Sequence, residues 1–305
     1  MEKVYKKRFG IFHNPEVRKK IDSLDEVKDC QEISKLLYLY EYSFDFVRAL
    51  EVALLYTYGS RSVSKLLDKT NEFESNGQKR YDDTAILVSL FVESGWDGDF
   101  GRRAIERVNK SHSHYKIPND DFLYVLWTFI HFPIEWSLTH GRRKMTQKEQ
   151  NAWFNFWIGI GERMGMSNLP ATKADFDAFV LDYEARELVY DPANKRVTDA
   201  TIAIMANWFP KFIRPIITPI SLALMPDKFV KAVGHEPPSA AIKAITNGAL
   251  KVVGGINRIF AIGYYPTLVT NRRDLTYRNK FGVEDLRPEK LKKAEEHKEK
   301  IKQSA

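Results

Sequence analysis

Apolar side chains recur through most of this chain at intervals of three and four residues, the spacing that places them on one face of an α-helix. One such stripe runs from Trp153 to Met164 and follows Thr146-Gln-Lys-Glu149, which has the residue types and spacing of a capping box. Gly95 follows another apolar stretch, where a left-handed residue can end a helix. We find no paired alternating segments that indicate a β-hairpin, and no internal repeat. The pattern predicts an all-α fold with one globular domain.

Two longer apolar segments require a test for membrane-spanning helices. Residues 201–225 contain Lys211, Arg214 and three prolines, and residues 247–270 are interrupted by Lys251 and further polar residues. A spanning helix needs about 20 consecutive, mainly apolar residues with few or no charges. We therefore predict no transmembrane helix. Short helices over a ligand cavity, or a helical face that lies on a bilayer, both fit these segments.

The composition narrows the class of protein. The 305 residues are 44% hydrophobic and 13% aromatic, which supports a large core and excludes wholesale disorder. The single cysteine, Cys30, excludes an internal disulfide framework and a cysteine-clustered metal site. The first ten residues lack the apolar run of a signal peptide, so we expect a cytoplasmic protein. The net charge of +7 is spread along the chain rather than interleaved with aromatics, so we expect no nucleic-acid partner.

The best candidate for metal chemistry is a histidine pair in the predicted helix around residues 104–115. On a helix, His112 shares a face with Ile105 and Val108, whereas His114 shares a face with the cation Lys110. We therefore expect His112 to be buried and His114 to be exposed. Two interpretations remain open for His112: a core histidine with satisfied hydrogen bonds, or an axial ligand of haem iron. The sequence has no Glu-x-x-His pair, which argues against a di-iron carboxylate bundle or a zinc protease.

A second polar cluster precedes the apolar stretch that predicts a helix from Thr84 to Ser94. Asp82 and Asp83 would lie in its first turn, where the helix dipole favours carboxylates. An N-terminal cap explains these aspartates but leaves Arg80 unexplained, because the dipole disfavours a cation at that end. Arg80 and Thr84 are four residues apart and can face the same way. A simple cap and a functional cluster therefore both fit.

After the predicted helix around residues 104–115, a further helix is predicted at residues 122–132. Asn119 and Asp120 are favourable caps for its N-terminus. Pro133 predicts its end, because proline lacks the backbone N–H that a helix interior requires.

Several segments in this order and spacing resemble the family of latex-clearing-protein and MpaB-like oxygenases. The resemblance extends from about Leu50 to Pro238. It is strongest at Arg80–Thr84, Arg107–His112, Ile117–Tyr124, Leu138–Trp157 and Gly161–Gly165. Members of this family are all-α haem b proteins that cleave carbon–carbon double bonds of isoprenoid chains with dioxygen. The resemblance implies a haem b-dependent oxygenase that acts on an apolar, isoprenoid-like small molecule.

The resemblance also implies a domain organisation and a haem site. We expect an N-terminal extension at residues 1–30 and a catalytic domain enclosing the haem at residues 31–282. The Lys/Glu-rich composition of residues 283–305 predicts a charged, solvated and partly helical tail. The family holds its haem iron with the histidine of an Arg-x-x-x-x-His segment. This pattern implies His112 as the iron ligand and Arg107 as a second residue of the cofactor site.

On the opposite side of the haem, the family has an Arg-x-x-x-Thr pattern, which Arg80 and Thr84 match. These two residues are expected to stabilise negative charge on oxygen. The rubber-cleaving branch has a lysine where this chain has Asp83, a carboxylate suited to accepting a hydrogen bond or shuttling a proton. This difference favours a small substrate, as in the MpaB branch. Glu72 and Glu74 are the only nearby counterparts of a glutamate base.

A different class of function also fits the sequence. A non-catalytic haem- or lipid-binding helical protein would share the scaffold without the reaction. The apolar segment Ile213–Met225, with Lys211, Arg214 and Lys228 beside it, suits peripheral contact with an anionic membrane surface. This contact is compatible with the oxygenase hypothesis, since isoprenoid-like molecules partition into membranes.

Overall fold

The computed structural model describes residues 4–263, 269, 275–278 and 281–294. Helices form nearly all of its regular structure. They are α1 (Pro15–Asp22), α2 (Cys30–Leu36), a π-helical turn (Leu37–Glu41), α3 (Ser43–Thr57), α4 (Arg61–Thr70), α5 (Glu72–Ser94), α6 (Asp99–His112), α7 (Asn119–Thr139), α8 (Gln147–Arg163), α9 (Lys173–Glu187), α10 (Pro192–Asn207), α11 (Arg214–Ala223), α12 (Asp227–Ala232), α13 (Ala240–Ile259) and a 3₁₀ turn (Val283–Asp285).

The predicted fold class is confirmed. Across the described ranges, β-type pairing is limited to isolated bridges of Phe12 with Arg8 and with Phe260. The helices form one domain in which α3 packs along α7, α5 along α6, and α2 against α8. No helix among the described residues is long and apolar enough to cross a bilayer.

The predicted start of α8 is also confirmed. The Thr146 hydroxyl accepts a hydrogen bond from the Glu149 backbone N–H (3.3 Å), and the Glu149 carboxylate accepts one from the Thr146 N–H (2.8 Å). This reciprocal pair satisfies two donors that a helix N-terminus leaves without partners. Gly95 ends α5 with a φ of 65°, a backbone conformation that favours glycine.

The predicted start of the helix at Thr84 is wrong. α5 begins at Glu72 and continues through a kink at Asn76, so Asp82 and Asp83 lie in its interior and cap nothing. The first turns of α5 are polar, but they are held by contact with α10. A Cβ on Gly77 would lie 2.4 Å from Cδ1 of Ile204, so this α10 side chain packs directly over the glycine. Tertiary contact has overridden a sequence that lacks an apolar stripe.

The prediction that the helix at residues 122–132 ends at Pro133 is wrong as well, because α7 continues to Thr139. A proline at position 133 cannot donate to the carbonyl of Phe129 four residues earlier. The Trp153 indole N–H of α8 donates to this carbonyl instead, at 3.0 Å. A neighbouring helix therefore supplies the hydrogen bond that the proline removes.

The predicted tail is partly helical, as expected, at residues 283–285 and 289–294, but it is not solvated along its described length. Residues 281–294, which we name the C-terminal strap, lie against the helices, and Val283 and Leu286 are buried. The two residues are three apart and place their side chains on the same side of the 3₁₀ turn. Residues 295–305 of the predicted tail lie outside the described residues, and the domain boundaries at residues 30 and 282 stay predictions.

Candidate functional site

A mostly apolar cavity lies between helices α3 to α8. The cavity has a volume of about 250 Å³. Its wall includes Leu87, Phe91, Val108, Phe122, Phe129 and Trp157. Phe129 and Trp157 stack on each other in this wall, with 5.1 Å between their ring centroids. Trp127 is not part of the wall and donates its indole N–H to Asp177 at 2.6 Å. A cavity with an apolar wall and a few polar groups is typical of a small-molecule site.

His112 lies at the C-terminal end of α6 and contributes to the cavity wall. Its ring packs against Phe122, with 5.2 Å between the ring centroids. Nδ1 is buried, and no described residue provides it with a hydrogen-bond partner, which favours the ligand interpretation over a satisfied core histidine. Burial, reinforced by the nearby Arg80 guanidinium, lowers the pKa of His112 to about 4. The ring is therefore a neutral imidazole at neutral pH, the form that binds metals.

His114 behaves as the helical pattern predicted. It is exposed, and its Nδ1 lies 2.8 Å from the Lys110 carbonyl oxygen. Two histidines that are two residues apart on one helix thus have different surroundings, and His112 is the one at the cavity.

Arg80 and Thr84 meet at the cavity wall, as their spacing predicted. The Arg80 guanidinium donates to the Thr84 hydroxyl, and this hydroxyl donates to the Arg80 carbonyl oxygen at 3.0 Å. The guanidinium also lies over the Phe73 ring, 5.5 Å from its centroid. Within the described part of the chain, it has no carboxylate in ion-pair contact. The cavity therefore contains a cation whose position is set by Thr84 and Phe73.

Asp83 also lies at the cavity, but both of its oxygens have partners. Oδ2 accepts from the Lys79 ammonium at 2.7 Å, and Oδ1 accepts from the Tyr277 hydroxyl at 2.5 Å. Burial raises the pKa of Asp83, while Lys79 and Tyr277 oppose this rise. The preceding Asp82 binds the backbone N–H of Thr276 at 2.9 Å. The two aspartates hold residues 276 and 277 against α5.

Of the two candidate glutamates, only Glu72 faces the cavity, whereas Glu74 is exposed. Glu72 is buried and accepts from the backbone N–H groups of Glu289 (3.3 Å) and Lys290 (3.1 Å). These are the first residues of the helical end of the C-terminal strap, where a carboxylate is stabilised by unpaired N–H groups. Glu72 therefore binds the strap to α5.

Arg107 is buried on α6 but is not among the residues that line the cavity. Its Nη2 donates to the Glu284 carbonyl oxygen at 3.1 Å, a contact with the C-terminal strap. Its expected place in a cofactor site stays a prediction.

The sequence did not identify the C-terminal strap as a part of the site. Leu286, Arg287 and Pro288 complete the cavity wall. Lys79 supports this stretch by donating to the carbonyl oxygens of Asp285 (3.3 Å) and Arg287 (2.8 Å). The signal that could have indicated a buried turn is the apolar pair Val283 and Leu286 within an otherwise charged segment.

Asp121 also lies in the cavity wall, and the sequence analysis did not identify it as a candidate site residue. It is buried on α7 and accepts hydrogen bonds from the hydroxyls of Tyr183 and Ser62, both at 2.6 Å. Burial raises its pKa, and the two hydroxyl groups oppose this rise. The indole N–H of Trp157, also in the wall, is buried without an acceptor. A ligand with an acceptor atom at that point would satisfy it.

Residues 51–254 match the family described as ER-bound oxygenase mpaB/B′/Rubber oxygenase, catalytic domain. This chain belongs to that family. The matched region contains all of the cavity residues named above on α4 to α8. The C-terminal strap lies beyond the matched region of the mpaB/rubber oxygenase family, although it completes the wall of the same cavity.

Three curated relatives are similar to the chain. The ER-bound oxygenase mpaB′ of Penicillium brevicompactum is 30% identical over 249 residues, which cover 75% of this chain and 59% of the relative. The ER-bound oxygenase mpaB of Penicillium roqueforti is 30% identical over 210 residues, which cover 63% of this chain and 70% of the relative. The ER-bound oxygenase mpaB of Penicillium brevicompactum is 29% identical over 255 residues, which cover 75% of this chain and 64% of the relative. The chain spans 59% of the length of the first of these relatives.

Proposed function

We propose that this chain is a haem b-dependent oxygenase that cleaves or oxygenates a carbon–carbon double bond of an apolar, isoprenoid-like small molecule with dioxygen. The observation that carries the proposal is the His112 ring, a neutral imidazole without a hydrogen-bond partner in the wall of an apolar cavity. Membership of a family of oxygenase catalytic domains supports the choice of reaction.

The donor set fits haem better than a metal ion held by protein side chains. The part of the chain that the structure describes has no group of three or more His, Cys, Asp and Glu side chains placed to hold a metal. A zinc or non-haem iron site needs such a group. Haem brings four nitrogen ligands of its own, so a single imidazole is enough to hold it.

Each polar residue at the cavity has a distinct part in this proposal. Haem, when bound by His112, supplies the electron chemistry that activates dioxygen. Arg80 stabilises negative charge that develops on oxygen in the cavity, because its guanidinium lies in the cavity wall and no described carboxylate forms an ion pair with it. Thr84 positions Arg80 through their mutual hydrogen bonds. The apolar wall holds the substrate and excludes water.

The carboxylates take a different part from the one first expected. Glu72 accepts hydrogen bonds from the C-terminal strap. Asp83 accepts them from Tyr277 and from Lys79, which itself donates to the strap. We therefore assign Glu72 the closure of the cavity, and Asp83 the support of Lys79 and Tyr277, rather than proton transfer.

Haem binding is tested by an absorption spectrum. The full chain, expressed with ample haem supply, is expected to show a Soret band. His112→Ala should lose the band or weaken it strongly, whereas His114→Ala should keep it, since this exposed neighbour does not reach the cavity. A colourless wild-type protein, or a His112→Ala spectrum identical to that of the wild type, would refute the proposal.

The second candidate function is a haem- or lipid-binding protein without catalysis. It is favoured by Glu72, Asp83 and Asp121 at the cavity, whose carboxylates all accept hydrogen bonds from other residues of the chain. Dioxygen uptake with a squalene-like alkene under reducing conditions separates the two functions. Haem-loaded protein that consumes no dioxygen with any such alkene would support the second function and refute the first.

The relatives' names describe them as ER-bound. We propose that this chain also makes peripheral contact with a membrane, from which an apolar substrate could be taken. The charged and apolar segment at residues 211–225 supports this proposal.

A further inference from the structure

α13 exposes the apolar side of its helix. Ile245, Val252, Ile256 and Ile259 are 72%, 63%, 47% and 58% exposed, and their spacing of three to seven residues places them in one stripe. The exposed residues Gly248, Ala249 and Gly255 add no bulk to this side of the helix. A helix on the surface of a globular protein normally has the reverse arrangement, with its apolar stripe facing the core.

The inner side of α13 is small and polar, and specific contacts hold it in place. Asn257 is buried and donates to the Asp45 carboxylate at 3.2 Å. A Cβ on Gly254 would lie 2.1 Å from the His140 carbonyl oxygen, so the helix backbone approaches α7 closely at that point. The helix cannot rotate its apolar stripe inward without breaking these contacts. The exposure of the stripe is therefore a built feature of the fold.

α11 packs beside α13 and extends the exposed apolar surface. Phe212, just before α11, is 81% exposed, and Ile216 and Ile220 are 51% and 37% exposed. We name these three residues and the α13 stripe the α11/α13 face. Soluble monomers rarely expose such a continuous apolar area unless it contacts a partner or a membrane. The earlier expectation at Ile213–Met225 is thereby refined, since Ile217 and Leu222 of that segment are buried.

The charge around this face has one sign. Residues 200–260 contain only two acids, and Asp227, one of them, already forms an ion pair with Lys243. Lys251 and Arg258 lie on α13 itself, and no ion pair joins either to a carboxylate within the described residues. The same stretch contains seven cationic residues: Lys211, Arg214, Lys228, Lys231, Lys243, Lys251 and Arg258.

We propose that the α11/α13 face docks on an anionic phospholipid bilayer. Its aliphatic and aromatic side chains would enter the headgroup region, while Lys251 and Arg258 would bind lipid phosphates. A second copy of the chain fits less well, because a symmetric interface would bring the cations of one copy close to those of the other. The proposal rests on the peripheral membrane contact proposed above and names its surface. It does not depend on haem or on catalysis, so a failure of vesicle binding would leave the oxygenase proposal standing.

Vesicle co-sedimentation of the full chain tests the proposal. The wild type is expected to sediment with vesicles of phosphatidylcholine and phosphatidylserine, and less with pure phosphatidylcholine or at high salt. The double variant Val252→Glu, Ile256→Glu places charges on the face at exposed positions, so it should fold and bind at least about tenfold more weakly. Lys251→Gln should weaken binding to the anionic vesicles by about fivefold, because one cation is lost.

Leu181→Glu is the matched control, since Leu181 is 67% exposed on α9, outside the α11/α13 face. It should bind as the wild type does. Circular dichroism establishes that each variant is folded, and the salt and lipid dependence of the wild type remains a test if a variant is not. The proposal is overturned if the wild type binds neither vesicle at low salt, or if Leu181→Glu weakens binding as much as the double variant. A dimer in analytical ultracentrifugation that the double variant dissociates, without vesicle binding, would also overturn it.

Discussion

Arg80 is the residue whose environment most directly supports a reaction in the cavity. A buried or half-buried cation normally has a carboxylate beside it, because an unpaired charge loses hydration without compensation. Among the described residues, Arg80 contacts a hydroxyl and an aromatic ring, and no carboxylate lies within ion-pair distance. The site therefore keeps a positive charge that a ligand or a developing negative charge can use.

Arg80→Gln is expected to lower turnover of an alkene substrate by about 100-fold, the usual cost of removing one preorganised donor to a developing oxyanion. The Soret band should remain, because His112 is unchanged. Dioxygen uptake and the haem spectrum of the same sample are the two measurements. Arg102→Gln is the control, as Arg102 forms exposed ion pairs on α6 with Asp99 and Glu106. Unchanged turnover in Arg80→Gln would contradict the role of this cation.

His131 gives a pH-dependent prediction outside the proposed haem site. Burial, together with the Lys173 ammonium 3.2 Å from Nδ1, lowers its pKa to about 4. Between this value and the unfolded value of about 6.5, the unfolded chain binds more protons than the folded chain. His131 therefore removes stability as the pH falls through this window, and its effect is absent at pH 7.

Urea unfolding at pH 7 and pH 4.5 measures this effect in the wild type and in His131→Gln. The loss of unfolding free energy on acidification should be smaller in the variant, by about 2 kcal/mol. The other histidines titrate in both proteins and cancel in the difference. Equal losses in both proteins would mean that protonated His131 is accommodated in the fold.

At the scale of the elements, helix type and several termini could be predicted from local sequence, whereas two boundaries could not. The capping box of α8 and the end of α5 depend on residues within one turn, so local pattern is sufficient. The start of α5 depends on contact between Gly77 and Ile204, 127 positions apart in the chain. The passage of α7 through Pro133 depends on Trp153 in another helix. Such contacts are set by tertiary structure and have no local signal.

A double-mutant cycle can test the hydrogen bond that α8 supplies to α7. Trp153→Phe removes the indole N–H and leaves the buried Phe129 carbonyl without a donor, which costs about 1–2 kcal/mol beyond the loss of side-chain volume. In a Pro133→Ala background, the new backbone N–H can bond to that carbonyl, so the same substitution should cost less. Urea unfolding of the four proteins gives the coupling free energy. A coupling of zero would show that the indole does not compensate for the proline.

At the scale of the whole molecule, the site is assembled from the family-matched helices and from a segment beyond them. Arg80, Thr84 and His112 could be placed together from spacing and resemblance, because each lies on a long helix whose face is readable. The C-terminal strap could not be placed, since its contacts with Glu72 and Lys79 join residues more than 200 positions apart. Local charge along the strap indicated a solvated tail, whereas the buried Glu72 carboxylate of α5 shows what it binds.

Two truncations can establish whether the C-terminal strap is a wall of the cavity. A chain that ends at residue 281 loses Val283 and Leu286, whose burial contributes about 1.5–3 kcal/mol each, so its unfolding free energy should fall by about 3 kcal/mol or more. It also opens the cavity beside Leu286 and Pro288, so its haem affinity should fall by at least about tenfold. A chain that ends at Ala294 keeps every contact of the strap described above and is the matched control. If the two truncated chains match in stability and in haem affinity, the strap only covers the surface, and Glu72 needs another explanation for its burial.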